Sequence, residues 1–480
     1  MNDRKGFGSN FGFLMAAVGS AVGLGNIWGF TNKKGASRGI PFLSLYLALA
    51  LCCGVIIMLG ELALGRKTGH GAVGAYQSIS KRFKWLGWLG IAAAALIFSF
   101  YSALGGYCLR YVVVNFGNLI GAEFGTNGVG GADVFQGLLS QPDVSIAFAL
   151  AFMLITMLVV MSGVGGGIER VCSVGMPALF FILIICIIRS CTLPGAADGL
   201  KYMFVPGWAV ANGIIDEAPG FWRVLTAAGG QMFFSLSLGA GVMITYGSYL
   251  DKKQDLGKST MIIVGMDTVV ALMAGLCVIP GRFALDPNGA LGGPELLFIT
   301  MQNVFDKMGP AGPVFGILFY LLVFFAAISS SISMLEVIVA HFCDKAREKG
   351  KGDRRKLYSA IAVVICAALC ALVCADGMGS NHISPAELLG LAGAKLPGWS
   401  TSWLGLFDSV AEGLLMPLGA LLMCLMISWE LKPDALRQEI LLNGENRPWV
   451  YDFFRLCVKY ITPLCMLMIL YGQISDFFIV

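Results

Sequence analysis

The sequence is poor in charge and in histidine. Only 13% of its 480 residues are Asp, Glu, Lys or Arg, whereas soluble domains carry about 25%. A chain with so little charge has too few polar groups to cover a surface in water. Its three His do not lie at metal-ligand spacing. The sequence therefore excludes a soluble domain and gives no support for a histidine-based metal centre.

A concentrated nucleic-acid footprint and paired cysteine motifs are absent as well. The net charge of +4 is not gathered in one segment, so we expect no nucleic-acid partner. The 14 Cys are scattered through apolar runs without zinc or redox spacing, which favours buried thiols that act as small apolar side chains. Because no group of His, Cys and Ser stands at catalytic spacing, we predict that the protein is not an enzyme.

Long apolar runs are what the sequence has in abundance. Hydrophobic residues make up 57% of the chain, and a run of about 20 of them crosses the hydrocarbon core of a bilayer. Because lipid satisfies no backbone hydrogen bonds, such runs must be helices. We predict an all-α membrane protein, embedded in the lipid bilayer, with eleven spans at 9–31, 40–65, 86–119, 144–161, 170–190, 221–250, 258–281, 312–343, 357–375, 404–430 and 451–477.

Basic residues predict the orientation of these spans. By the positive-inside rule, the basic loops and the N-terminus face the cytoplasm, and eleven spans then place the C-terminus outside. Loop 117–143 has no Lys or Arg and should lie outside. The basic loops are 66–84, 251–258 and 344–356. The first outer connection breaks the rule, because it contains Lys33, Lys34 and Arg38.

The first and sixth spans contain small residues in the middle of their apolar runs. The first reads Gly-Ser-Ala-Val-Gly-Leu-Gly-Asn over 19–26, and the sixth reads Ser-Leu-Ser-Leu-Gly-Ala-Gly over 235–241. Because they lie five spans apart, at matching places in two five-helix halves, they predict an inverted repeat with discontinuous helices. Unwound backbone at that depth lines a cavity, where its carbonyls can ligate Na⁺. Close helix packing through small residues is the alternative.

Four motifs resemble the neurotransmitter:sodium symporter family, whose bacterial branch includes the leucine transporter and eleven-span relatives. They are AVGLGNIW at 21–28, GELALGR at 60–66, QMFFSLSLG at 231–239 and ITYGSY at 244–249. The resemblance covers nearly the whole chain and implies one transporter domain, 1–480, in a bacterial inner membrane. That domain would consist of two inverted five-helix repeats and an extra helix, at 9–190, 221–430 and 451–477.

The resemblance implies a function. We expect a sodium-coupled symporter that imports a small organic solute, a hydrophobic or aromatic amino acid, by alternating access, as a monomer or weak dimer. Asp267 lies inside an apolar run, where an ionisable residue is costly and functional by default. It keeps open a proton-coupled or uncoupled carrier of another solute, such as an aromatic amino-acid-derived metabolite. A membrane sensor is a further alternative, although the chain contains no soluble signalling domain.

Two sodium sites follow from the resemblance. Oxygen ligands suit a hard cation, and the first site maps onto the Ala21 carbonyl and the side chains of Asn26, Ser235 and Asp267. The second maps onto the carbonyls of Gly19, Val22 and Ala326 and the hydroxyls of Ser329 and Ser330. Chloride is not expected, because Ala271 stands where chloride-dependent members have Ser and Asp267 is itself an anion.

The resemblance also maps a substrate pocket, with Tyr101 at the position that holds the substrate carboxylate. Ala240 stands where the leucine transporter has a large aromatic residue. This change leaves room for a bulkier substrate, unless a neighbouring Phe or Met fills the space. The implied pocket residues are Ser20, Ala21, Gly23, Leu24, Gly25, Ile97, Tyr101, Phe234, Ser235, Ser237, Ala240, Ser330 and Met334.

Two gates complete the implied mechanism. Arg4, Asp344 and Tyr249 match the inner gate, and Asp408 and Gln231 match the outer one. Gly29 replaces the outer-gate Arg, so Asp408 would pair with Arg38 or a Lys, pair with a cationic substrate, or close without an ion pair. Two supporting features are also expected: a hydrogen bond from Glu61 to the sixth span, and unwinding of the fifth span between Gly167 and Pro177.

Overall fold

The structure is a computed structural model that describes residues 6–30, 40–217, 219–391, 396–441 and 448–478. Within these ranges every regular element is a helix. Nine of the helices described there are long and apolar enough to cross a membrane, which confirms an all-α membrane fold. They are α2 (Pro41–Thr68), α3 (Lys81–Ile120), α4 (Pro142–Met161), α5 (Val164–Cys191), α8 (Leu256–Leu285), α9 (Gly309–Glu348), α10 (Arg355–Gly379), α11 (Trp403–Leu431) and α12 (Pro448–Ser475).

The first predicted span is broken in the structure. Helix α1 (Asn10–Ala21) stops where Val22 takes an extended backbone with φ −73° and ψ 111°. Helical backbone resumes as one wide π-type turn over Gly25–Gly29. The residues between the two pieces leave their backbone groups free of the helical hydrogen-bond ladder, as small residues at 19–26 predict.

The sixth predicted span is also in two pieces. Helix α6 (Phe221–Leu236) ends at Ser237, which adopts φ 52°. Helix α7 (Val242–Gly247) begins after Gly241 at φ 75°. Left-handed backbone is costly for residues other than glycine. Gly241 therefore adopts it without strain, whereas Ser237 adopts it at a cost. Neither broken span is among the nine long helices, which is why their number falls short of the predicted eleven.

Helix α9 positions both broken helices. It packs along α3 on one side and against α5 and α1 on others, so its middle faces the two breaks. Glu61 of α2 reaches the second break, where its Oε1 accepts a hydrogen bond from the Gly239 N–H at 2.8 Å. The predicted contact between Glu61 and the sixth span is therefore confirmed.

The start of α5 differs from the expected unwinding. Residues Val164–Glu169 form a wide π-type turn, and Pro177 lies inside the continuing helix. A methyl group at Gly167 would lie 2.0 Å from the Val159 carbonyl oxygen. In the structure, Gly167 therefore permits a close approach of two helices, and the segment remains helical.

Candidate functional site

A largely enclosed cavity lies between the two helix breaks, α3 and α9. Its polar side chains come from the two broken spans and from α3 and α9. Its large apolar side chains come mostly from the intact helices. The lining residues are Ser20, Ala21, Gly23, Gly25, Asn26, Ile97, Phe98, Tyr101, Phe234, Ser235, Ser237, Ser330, Ser331, Met334 and Met416.

On one side of the cavity, four side chains form what we call the carboxylate cluster. Asp267, which is fully buried, accepts a hydrogen bond from Asn26 Nδ2 at 2.7 Å and one from Tyr46 OH at 3.1 Å. Ser235 Oγ lies 2.8 Å from Asp267 Oδ2. These donors compensate a charge that would be costly to bury alone. The structure thus brings together Asn26, Ser235 and Asp267, three residues that the sequence assigns to one site.

On the other side, backbone oxygens form what we call the carbonyl cluster. Ser330 Oγ of α9 lies 3.2 Å from the Gly19 carbonyl oxygen, 3.3 Å from that of Ser20 and 3.2 Å from that of Val22. A hydroxyl has one proton to donate, so it cannot satisfy three carbonyls at once. A small cation among these oxygens would replace repulsion between their dipoles with attraction.

The other residues assigned to the second sodium site lie close by. Ser329 Oγ donates within its own helix, 2.9 Å from the Phe325 carbonyl oxygen and 3.1 Å from that of Ala326. A methyl group at Gly19 would lie 2.9 Å from Ser329 Cβ, so α1 and α9 touch here. The residues assigned to the second sodium site therefore lie along one contact between α1 and α9.

Tyr101 of α3 closes one end of the cavity. Its hydroxyl oxygen accepts a hydrogen bond from the Leu24 N–H at 2.6 Å, so Leu24 meets the site through its backbone. Glycine is needed beside it, because a methyl group at Gly23 would lie 2.4 Å from Tyr101 OH, and one at Gly25 would lie 2.0 Å from the Phe234 ring. The two glycines therefore let Tyr101 and Phe234 pack directly against the backbone of the first break.

Ala240 is the pocket residue that the structure places elsewhere. It is fully buried but does not line the cavity, and it packs where a methyl group at Gly90 would lie 3.1 Å from its carbonyl carbon. The sequence also failed to identify four residues, Tyr46, Phe98, Ser331 and Met416. Met416 is a neighbouring Met of the kind that, in the alternative given above, fills the space beside Ala240.

The Asp344 end of the bundle contains a buried polar network. Asp344 Oδ2 accepts a hydrogen bond from the Gly71 N–H at 2.9 Å. Tyr249 donates to Glu336, which also pairs with Arg355 at 2.6 Å. Arg4, the predicted partner of Asp344, lies outside the described residues.

At the Asp408 end, Gln231 occupies space beside Gly29. Gln231 Nε2 donates to the Gly25 carbonyl oxygen at 3.1 Å, and a methyl group at Gly29 would lie 2.8 Å from Gln231 Oε1. A larger side chain at position 29 would therefore require Gln231 to move. Asp408 lies in α11, and the basic residues proposed as its partners, Lys33, Lys34 and Arg38, lie outside the described residues.

Known proteins are similar to this chain in sequence and in fold. The model of the sodium:neurotransmitter symporter family matches residues 4–127 and 132–478. YhdH, a sodium-dependent transporter of Bacillus subtilis, is 36% identical over 97% of each chain. A sodium-dependent transporter of Methanocaldococcus jannaschii is 29% identical over 91% of this chain and 84% of its own.

A solved structure is similar over the whole chain. The crystal structure of MhsT in complex with L-phenylalanine matches with a TM-score of 0.81 and 33% identity, covering 98% of this chain and 99% of its own. Family match, sodium-dependent relatives and fold agree with the four sequence motifs and describe a multi-pass sodium-dependent transporter rather than an enzyme. The chain belongs to the sodium:neurotransmitter symporter family.

Proposed function

We propose that this protein is a sodium-coupled symporter that imports a hydrophobic or aromatic amino acid. The observation that carries the proposal is the enclosed cavity between two broken helices, with an oxygen cluster on each side and apolar walls. A zwitterionic head group fits the polar end, where backbone groups are free. An apolar side chain fits the remainder, because burying apolar surface is favourable.

The walls of the cavity support this substrate class. The side chains that face the apolar part are Ile97, Phe98, Phe234, Met334 and Met416. Among the described residues, Asp267 of the carboxylate cluster is the one charged side chain beside the cavity. The similar structure of MhsT was solved with L-phenylalanine, an amino acid of the proposed class.

Sodium would occupy both oxygen clusters. At the first site we propose that the Ala21 carbonyl, Asn26, Ser235 and Asp267 hold Na⁺, with the substrate carboxylate completing the shell. At the second, the carbonyls and hydroxyls of the carbonyl cluster would hold Na⁺, together with Ala326 and Ser329. Chloride would not be required, because the fully buried Asp267 carboxylate already supplies a negative charge beside the first site.

Transport would proceed by alternating access between two inverted five-helix repeats, 9–190 and 221–430, with 451–477 as an extra helix. Asp344 would lie at the cytoplasmic gate and Asp408 at the outer gate, in a bacterial inner membrane. The membrane potential adds about 2.3 kcal/mol per charge per 100 mV to the driving force. Release of Na⁺ from the second site would open the cytoplasmic side.

The test is binding and uptake with the purified protein. A ligand that binds the folded state raises the melting temperature by mass action, so amino acids are screened in NaCl, sodium gluconate, KCl and choline chloride. We expect phenylalanine-like amino acids to stabilise the protein in both sodium salts only, and to accumulate in proteoliposomes with an inward Na⁺ gradient. Equal stabilisation in choline chloride would exclude sodium coupling, and stabilisation in NaCl alone would exclude chloride independence.

A further inference from the structure

One hydroxyl group at the cavity has no hydrogen-bond partner among the residues that the structure describes. It is the Oγ of Ser331, a fully buried residue that lines the cavity. A buried polar group without a partner is costly and calls for an explanation. Each of the other polar side chains that line the cavity makes a hydrogen bond; these are Ser20, Asn26, Tyr101, Ser235, Ser237 and Ser330.

Neighbouring serines on the same helix show that a partner is normally found. Ser329 Oγ donates to the Phe325 carbonyl oxygen at 2.9 Å, and Ser333 Oγ donates to that of Ser330 at 2.7 Å. Serine in a helix commonly bonds backward in this way. Ser331 is therefore the one serine among its neighbours on α9 whose hydroxyl makes no hydrogen bond within the described residues, and it lines the cavity.

The surroundings of Ser331 are those of a substrate side chain. Met334 lies three residues further along α9, which places it on the same helix face, and it lines the same cavity. Phe98 and Met416 supply further apolar lining. A purely hydrocarbon side chain would fill this space and leave the hydroxyl unpaired. A ring that carries an N–H or O–H group would fill it and pair the hydroxyl as well.

Resting on the proposed function, we propose that Ser331 selects aromatic amino acids whose ring carries a hydrogen-bond donor, an indole N–H or a phenol O–H, over plain hydrocarbon rings. Ser331 Oγ accepts that hydrogen bond while its own proton remains available to a backbone carbonyl. Sites that hydrogen-bond a substrate N–H or O–H discriminate strongly against analogues that lack it.

The experiment compares matched ligands in Na⁺. L-tryptophan is paired with 3-(3-benzothienyl)-L-alanine, which has nearly the same shape but carries sulfur in place of the N–H, and L-tyrosine is paired with L-phenylalanine. Affinities are measured by competition on wild type, Ser331→Ala, Ser331→Thr and Ser359→Ala. Ser359 is the matched control, because it is also fully buried with an unpaired Oγ but does not line the cavity.

We expect wild type to favour the donor-bearing member of at least one pair by about tenfold, as one hydrogen bond implies. Ser331→Ala should abolish that preference, whereas Ser331→Thr and Ser359→Ala should preserve it. The same preference in Ser331→Ala overturns the proposal. The absence of a preference in wild type overturns it as well, and that measurement does not depend on whether Ser331→Ala folds. A uniform loss for all ligands in Ser331→Ala, with the preference between the members of each pair retained, would also overturn the proposal, because Ser331 would then support the cavity without selecting the ring. If wild type binds none of these amino acids in a sodium-dependent way, the proposed function itself fails.

Discussion

The carboxylate cluster and the carbonyl cluster face each other across one cavity and differ in the source of their negative charge. The carboxylate cluster has a full charge on Asp267, held by donors at 2.7–3.1 Å. The carbonyl cluster consists of neutral backbone oxygens of the first helix break around Ser330. One cluster depends on a side chain from an intact helix, and the other depends on the break itself.

This difference teaches how the two proposed sites would respond to motion. Movement of α1 against α9 separates the oxygens of the carbonyl cluster, because they belong to those two helices. The carboxylate cluster combines residues of the first break, α2, α6 and α8 around a side-chain carboxylate. The carbonyl cluster should therefore be the weaker and more conformation-dependent site.

The largest effect should come from Asp267→Asn. Removing the charge removes the strongest ligand of the first site and its charge-assisted hydrogen bonds, so we expect about a hundredfold higher Na⁺ concentration for half-maximal binding of phenylalanine. Substrate affinity at saturating Na⁺ should fall too, because the substrate carboxylate completes this site. The measurement is thermal stabilisation across a Na⁺ titration, with Asp306→Asn, a carboxylate in the helix Met301–Lys307, as control. Unchanged Na⁺ dependence would remove Asp267 from the site.

A smaller effect is expected from Ser330→Ala. It removes a hydroxyl that lies within 3.3 Å of three backbone carbonyl oxygens, so we expect about a tenfold higher Na⁺ requirement. Unlike Asp267→Asn, it should leave phenylalanine affinity unchanged at saturating Na⁺. The same titration on Ser359→Ala controls for the loss of a buried hydroxyl. If both affinities fall together in Ser330→Ala, the two clusters are not separate sites.

Tyr46→Phe tests the support of the carboxylate cluster. Tyr46 is one of several donors to Asp267, and its bond at 3.1 Å is the longest of them. We therefore expect about a fivefold higher Na⁺ requirement for half-maximal binding of phenylalanine. Tyr202→Phe is the control, because Tyr202 OH is buried and has no hydrogen-bond partner in the part of the chain that the structure describes. A loss as large as that of Asp267→Asn would mean that Tyr46, rather than charge, organises the cluster.

The sequence was most informative where local pattern sets structure. Glycine and serine in the middle of apolar runs predicted both helix breaks, because they stand at matching places in the two five-helix halves. Asp267 was identifiable because a carboxylate in an apolar run is rare. These features depend on the cost of unsatisfied polar groups in lipid, which local sequence reveals.

The residues that the sequence did not identify depend on packing between distant helices. Met416 reaches the cavity from α11, and no local pattern distinguishes it from other apolar residues of that helix. Ser331 stands in a run of three serines, and only its direction around α9 sets it apart from Ser330. Of these residues, Tyr46 was the easiest to identify from the sequence, because a buried tyrosine hydroxyl needs a hydrogen-bond partner.

The smallest effect should come from Ser329→Ala, which asks how much of the carbonyl cluster belongs to its edges. Ser329 Oγ already donates to two carbonyls of its own helix, at 2.9 and 3.1 Å, so its ligand role would add little beyond its neighbour's. We expect about a threefold higher Na⁺ requirement, well below that of Ser330→Ala, and no change in substrate affinity. If Ser329→Ala equals or exceeds Ser330→Ala in the same titration, the cation lies nearer α9 than the backbone oxygens of the first break. The contrast between a charged site and a break-dependent site would then no longer hold.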